Sequence, residues 1–373
     1  MTKAGVRHLY VHLPFCASRC GYCDFVTLVG RREDHGRYVD AVLAELELER
    51  GRLADALETV FVGGGTPSFT EPAELRRLLA GLPTAGEVTL EANPETVTPE
   101  LAALLREEGV TRVSLGAQSF EPGLLDVLDR RAGPDDIRRA FYHLRDANFD
   151  NISLDLIYGI PGQEPSDLEG DLGEALALGP EHLSCYELEA KPGTRFTHAH
   201  GAELARQADS MEGYFELVVD RLTTAGYRWY ETANFCLDGH RARHNLACWL
   251  GRDYLGIGIG AVSTVGGLRW RNLPALPRYL AALGAGGTPP REYEPLSAFT
   301  QTQERLMLGL RLDDPVPFAE VEAAVDRVAL TRLEGQRLIE RRSNGLALTR
   351  RGRFLGGGVT AELLAETPAN KYN

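Results

Sequence analysis

Three cysteines stand within eight positions near the start of the chain, as Cys16-x3-Cys20-x2-Cys23. Thiolates so closely spaced share one short loop, and the crowding points to metal. A closed iron-sulfur site takes four thiolates, yet the next cysteine is Cys185. A [4Fe-4S] cluster held by this loop keeps one iron open to an outside chelator. Two plainer readings use the same residues, a zinc loop and buried thiols; zinc loops ordinarily close with a fourth Cys or His at short spacing.

Two further groupings carry chemistry. Gly63-Gly64-Gly65-Thr66-Pro67 follows an apolar run and has little side chain, so its backbone can approach a ligand closely. His244-Asn245-Leu246-Ala247-Cys248-Trp249 places His244 and Cys248 on one side, a turn apart, if the segment is helical. The glycines of LGIGIGA (255–261) mimic part of a dinucleotide fingerprint, but the surrounding strand-helix-strand pattern and the downstream acid are missing, so no nucleotide site is assigned there. Cys185 and Cys236 read as buried thiols.

The elements that must position these residues alternate. Short β-rich runs at 6–13, 58–63, 87–92, 111–117, 151–159 and 182–188 are separated by amphipathic stretches at 38–50, 71–80, 99–108, 134–147 and 166–178. Such alternation implies an α/β fold with parallel strands joined by right-handed crossovers, here an open, partial (β/α)6 barrel of the TIM type. Working residues then collect at the carboxyl ends of the strands, where Cys16, Gly63, Glu91, Gln118 and Asp155 fall. A long helix is expected over 203–225, a strand over 227–233 and a Gly/Pro-rich linker over 284–295. Residues 299–361 read as helices closed by a short hairpin, a small winged-helix-like unit. The expected division is 1–200 for the barrel, 201–290 for an extension and 291–373 for the C-terminal domain.

Bulk properties exclude several classes. The 373 residues are 43% apolar and 25% charged, as in ordinary globular chains. No run approaches the roughly 18 apolar residues that span a bilayer, which leaves peripheral membrane contact, and the first residues do not read as a leader, so the cytoplasm is expected. A net charge of −13 opposes attraction to a phosphate backbone. Seven Arg against two Glu over 331–353 make a local basic excess, but nucleic acid is not the expected partner.

The segments YVHLPFCASRCGYCDF, FVGGGTPS, LEANPE, SLGAQSF and LDLIYGIPGQ together resemble the radical S-adenosylmethionine branch that contains oxygen-independent coproporphyrinogen III oxidase and the HemW-type heme chaperones. The resemblance runs over nearly the whole chain. It implies that Cys16, Cys20 and Cys23 hold the cluster and that S-adenosylmethionine chelates its open iron. Tyr10 would lie beside the methionine group and Tyr22 against the adenine. Gly64, Gly65 and Thr66 would bind the amino end, and Glu91 the ribose hydroxyls. Gln118, Arg130 and Asp155 match further contacts, with the planar fork of Arg130 suited to a carboxylate.

Within that branch the oxidase carries a fuller N-terminal extension and a further cysteine two residues after the third ligand. Here nine residues precede Tyr10, and Phe25 stands at that place. HNLACW resembles the chaperone's heme-binding HNxxYW motif, with Cys248 where tyrosine is expected. The resemblance therefore implies heme as cargo, His244 and Cys248 as candidate iron ligands, and Arg241 and Arg243 either as propionate partners or as a basic surface turn. The function implied is a heme chaperone serving apo-hemoproteins such as respiratory cytochromes, with an electron donor such as flavodoxin or ferredoxin. The alternative is oxidative decarboxylation of coproporphyrinogen III.

Overall fold

The structure is a computed structural model that describes residues 5–189, 195–343 and 345–365. Six parallel strands form where the apolar runs stand: His8–Leu13, Leu57–Gly64, Ala85–Ala92, Arg112–Gln118, Ile152–Tyr158 and His182–Glu187, neighbours in that order. Helices His35–Glu49, Pro72–Gly81, Pro99–Glu107, Pro134–Asp146 and Pro165–Leu178 cross between them. Proline opens four of these helices, where its missing N–H costs nothing. Strand alternation sorts the faces: Leu9, Val11 and Leu13 are fully buried against the helices, while His8, Tyr10 and His12 turn inward. The inner face of the sheet is correspondingly polar, lined along successive strands by Thr59, Glu87, Thr89, Arg112, Ser114, Ser153 and His182, all buried.

The sheet is wider than the six expected strands. Nine strands pair in one open sheet, and the three additions all come from the segment after residue 200. Leu255–Ile257, from LGIGIGA, pairs parallel with His8–Leu13 on one edge. Asn234–Cys236 and Arg228–Glu231 pair antiparallel beyond His182–Glu187 on the other. The glycines of LGIGIGA serve this packing: Gly258 has φ 97°, and a Cβ on it would lie 2.6 Å from the His12 carbonyl oxygen and from the Tyr38 hydroxyl.

Two expectations are corrected here. The helix over 203–225 is two helices, Arg195–Gln207 and Met211–Thr224, separated by a 3-10 turn at Ala208–Ser210. The tract 284–295 is not all linker, because Arg291–Pro295 pairs with Leu268–Asn272 in a separate three-stranded sheet. Arg291 anchors that strand, its guanidinium bonded to Glu45 at 2.9 Å and Glu49 at 2.7 Å on the first barrel helix.

Beyond it, Ala298–Gly309 and Arg327–Gly335 pack with the hairpin strands Ile339–Arg342 and Gly345–Leu348 around a second apolar core that includes Leu306, Leu310, Leu333, Leu346 and Leu363. The Asp326 carboxylate caps the second of these helices, accepting from Val328 N–H and Ala329 N–H at 2.8 Å. This is the expected helix-and-hairpin unit. It is clamped to the extension by Arg228 and Arg241, both paired with Asp313 and Asp314, and by Arg353, which lies 3.5 Å over the Trp229 ring. Among the described residues no helix is long and apolar enough to cross a membrane.

Candidate cofactor cavity at the strand ends

The carboxyl ends of the barrel strands, together with the loops after the first four, enclose a cavity of about 460 Å³. Cys16, Cys20 and Cys23 line one part of its wall; Gly64, Gly65, Thr66, Glu91, Gln118, Arg130 and Asp155 line the rest, with Tyr22 beside the cysteines. Eleven groups spread over 140 residues of sequence thus meet because parallel strands bring their carboxyl ends to one mouth.

The sulfurs face hydrogen-bond donors. Thr66 Oγ1 donates to Cys16 Sγ at 3.4 Å, and Arg130 Nη1 stands 3.8 Å from Cys20 Sγ. Burial pushes the Cys16 thiol up to about 11, with the Thr66 hydroxyl acting against that rise, and burial raises Cys23 as well. Among the described residues no group of three or more His, Cys, Asp and Glu side chains converges closely enough to hold a single metal ion. The cysteines instead face a common space that suits a larger inorganic body with separate ligand corners.

The opposite wall is built by close approach. Gly64 has φ 118°, and a Cβ there would meet the His12 ring at 2.6 Å; its N–H donates to Glu91 Oε2 at 2.9 Å. Burial pushes the Glu91 carboxyl up to about 7, the Gly64 N–H opposing it. Asp155 is raised by burial too, against hydroxyl donors that include Ser114 Oγ at 2.9 Å. Arg130 is pinned by Asn93 Oδ1 at 3.1 Å and the Gly116 carbonyl at 2.8 Å, while its Nε is buried with no partner among the described residues. Gln118 takes φ 69°, in the left-handed region, where the pairing of its strand shifts register. Non-glycine residues pay about 1 kcal/mol or more there, and such strain gathers at functional sites.

Tyr10, His244, Cys248 and Arg241, all singled out from the sequence, lie outside this lining. Tyr10 does not line the cavity: it points inward one pleat deeper, its hydroxyl 3.0 Å from His12 Nδ1 and its ring against Phe61 and His244. The segment is helical, so His244 and Cys248 stand a turn apart on one helix, Arg243–Trp249, and this helix packs against the strand Leu57–Gly64. His244 is buried there, its Nδ1 2.8 Å from Thr59 Oγ1, and burial lowers its ring to about 3, so it is neutral. Cys248 instead faces a second cavity of about 420 Å³, lined also by Trp249, Tyr254, Arg252, Arg269 and Met307. Arg241 is spoken for by Asp313 and Asp314, at 3.0 and 2.6 Å.

The cavity has wall residues that the sequence reading passed over: Asn93, Ser114, Ile157, Tyr186, Glu187, Leu188 and Glu189. Asn93 stands inside LEANPE and Tyr186 near the end of the sixth strand, so the strand-end rule, applied to every strand, would have reached both.

An open parallel sheet with three loop cysteines and a glycine-walled cavity at its mouth defines a radical S-adenosylmethionine protein, and residues 10–175 match the Radical SAM superfamily while residues 296–355 match the HemN C-terminal domain. Within that class the chain belongs to the HemW heme chaperone family. It is 38% identical to the heme chaperone HemW of Mycobacterium tuberculosis, over 95% of this chain and 94% of that one. It is 32% identical to the heme chaperone HemW of Bacillus subtilis, over 97% and 100%. The coproporphyrinogen III oxidase HemN of Escherichia coli, a radical SAM enzyme, shares the fold with a TM-score of 0.81 over 96% of this chain and 90% of that one, at 23% identity.

Proposed function

We propose that this chain is a heme chaperone that carries a [4Fe-4S] cluster and S-adenosylmethionine and hands heme to apo-hemoproteins. The observation that carries the cofactor part is the single cavity shared by Cys16, Cys20, Cys23 and the Gly64–Thr66 wall. The donor set fits the cluster, with the Cys16 and Cys20 sulfurs already facing hydrogen-bond donors and no further cysteine or histidine in the described wall. In this reading the three thiols hold the cluster, Gly64, Gly65 and Thr66 receive the amino end of S-adenosylmethionine, and Glu91, Gln118, Arg130 and Asp155 fix its polar groups. When bound, the cluster supplies one electron to the sulfonium, which is the chemistry of this class. The chain's own part is orientation and exclusion of water. Tyr22 supports the aromatic moiety from beside the cluster, and Tyr10 acts from beneath, through His12, rather than by touching the ligand.

Relatives named heme chaperone, together with Phe25 in place of a fourth cysteine, support heme as the cargo. We place it beside the HNLACW helix on the Cys248 side, where Met307 offers a second soft donor and Arg252 supplies a cation for a carboxylate; Arg269 is engaged by Glu304 at 2.5 Å and Glu294 at 3.3 Å. His244, held by Thr59, then orients the helix. The functional division follows 1–200 for the cofactor barrel, 201–290 for the heme segment and 291–373 for the covering domain. Respiratory cytochromes are the proposed recipients, a flavodoxin or ferredoxin the proposed electron donor, and the cytoplasm the proposed place of action.

The test uses anaerobically reconstituted protein. Loaded with heme and mixed with an apo-cytochrome, it is expected to transfer the heme, read as the recipient's own absorbance. Given coproporphyrinogen III, reductant and S-adenosylmethionine, it is expected to make no protoporphyrinogen; conversion would establish the oxidase reading in place of this one.

A further inference from the structure

A continuous chain of buried hydrogen bonds joins the cofactor cavity to the start of the HNLACW helix. Ala242, the residue that caps this helix, donates its N–H to the Tyr230 hydroxyl at 3.3 Å. Tyr230 Oη stands 2.8 Å from His182 Nε2, and His182 Nδ1 stands 2.8 Å from Ser153 Oγ. Ser153 Oγ reaches Asp155 Oδ1 at 3.2 Å, and Asp155 lines the cavity. Ser153, His182 and Tyr230 are wholly buried.

Proton placement follows from the two ends. A backbone N–H only donates, so Tyr230 accepts from Ala242 and gives its own proton to His182 Nε2. The imidazole then carries its hydrogen on Nδ1 and donates to Ser153, whose hydroxyl donates to the Asp155 carboxylate. All four donors run one way, toward the negative charge, and bonds aligned in this manner polarise one another. Neutrality of His182, whose ring is held well below its usual range by burial, agrees with this arrangement.

We propose that Ser153, His182 and Tyr230 are positioning residues that tie the seating of the HNLACW helix to the state of Asp155, so that S-adenosylmethionine in the cavity tightens the helix that faces the heme cavity. The inference rests on the cofactor part of the proposed function. A cationic nucleoside beside Asp155 holds the carboxylate ionised and in one rotamer, which keeps the chain of donors aligned through to the Ala242 N–H. The helix has other anchors that bypass this route: Glu87 accepts from Arg243 N–H and His244 N–H, each at 3.2 Å, and Thr59 meets His244 Nδ1. Those contacts hold the helix whether or not Asp155 is engaged.

Hydrogen–deuterium exchange on the cluster-loaded full chain, with and without S-adenosylmethionine, tests this. In wild type the ligand is expected to slow exchange over residues 242–249 by about fivefold, the change one hydrogen bond's net free energy makes. Tyr230→Phe and Ser153→Ala, measured at saturating ligand, should each abolish that increment; the serine variant does so while leaving the Tyr230–Ala242 bond in place. Thr59→Ala, by contrast, should speed exchange in both states and keep the increment. Unchanged exchange in ligand-bound wild type, or an increment that survives in both chain variants, overturns the inference. Failure of wild type to bind S-adenosylmethionine shows separately, as absent heat in calorimetry, and overturns the cofactor reading itself.

Discussion

At the scale of single residues, the account rests on which side chains reach the cavity. Cys16→Ser, Cys20→Ser and Cys23→Ser are each expected to lower the iron and sulfide retained after anaerobic reconstitution, and the triple variant to retain none. Glu91→Gln is expected to weaken S-adenosylmethionine binding about tenfold, as loss of a charged acceptor does, with iron content unchanged; equilibrium dialysis checks it. The cysteines were legible in the sequence because a loop needs only local spacing to bring its thiols together. Glu91, Gln118 and Asp155 were legible because strand ends in a parallel sheet share one mouth. Tyr10 stands on the first strand as expected, and its side chain lies one pleat below the opening, against Phe61 and His244. No count of spacing reveals that depth, which depends on how far each strand extends past its neighbour.

At the scale of elements, the HNLACW helix is the informative case. The sequence left its helical nature as a condition and gave no sign of its docking, since the partners of its first turn, Glu87 and Thr59, stand more than 150 residues away. His244 is neutral when folded, with its ring near 3, and titrates near 6.5 when unfolded. The unfolded chain therefore binds more protons between those values, so the stability this residue permits is full above about pH 6.5 and is lost as the pH falls toward 3. His244→Asn keeps a polar group toward Thr59 and removes the titration. Between pH 7.5 and pH 5 it is expected to lose about 2 kcal/mol less than wild type, measured by urea unfolding of both proteins. Equal losses would mean that the histidine is not held neutral.

At the scale of the molecule, the extension after residue 200 closes both edges of the barrel sheet and carries the C-terminal domain. Trp229 is the joint, 6% exposed, stacked on Phe235 and covered by Phe354 and Arg353. Trp229→Ala is expected to cost about 3 kcal/mol and to expose residues 296–355 to limited proteolysis first, with the barrel fragment persisting longer. The six barrel strands and the C-terminal helix-and-hairpin unit were readable from periodicity. Of the three added strands, Arg228–Glu231 falls within the strand expected over 227–233, while Leu255–Ile257 and Asn234–Cys236 were not readable: they are three residues each, too short to show a period, and their pairing is decided by the strands that receive them.

The claim beneath all of this is that the cysteine loop leaves one iron of its cluster open and that the glycine-walled cavity delivers S-adenosylmethionine to it. Electron paramagnetic resonance of the dithionite-reduced, reconstituted protein measures that contact at the metal. The account predicts a cluster signal whose g-values shift when S-adenosylmethionine is added, and a smaller shift, at equal ligand, in Arg130→Ala. A signal indifferent to the ligand at concentrations that saturate binding would contradict it.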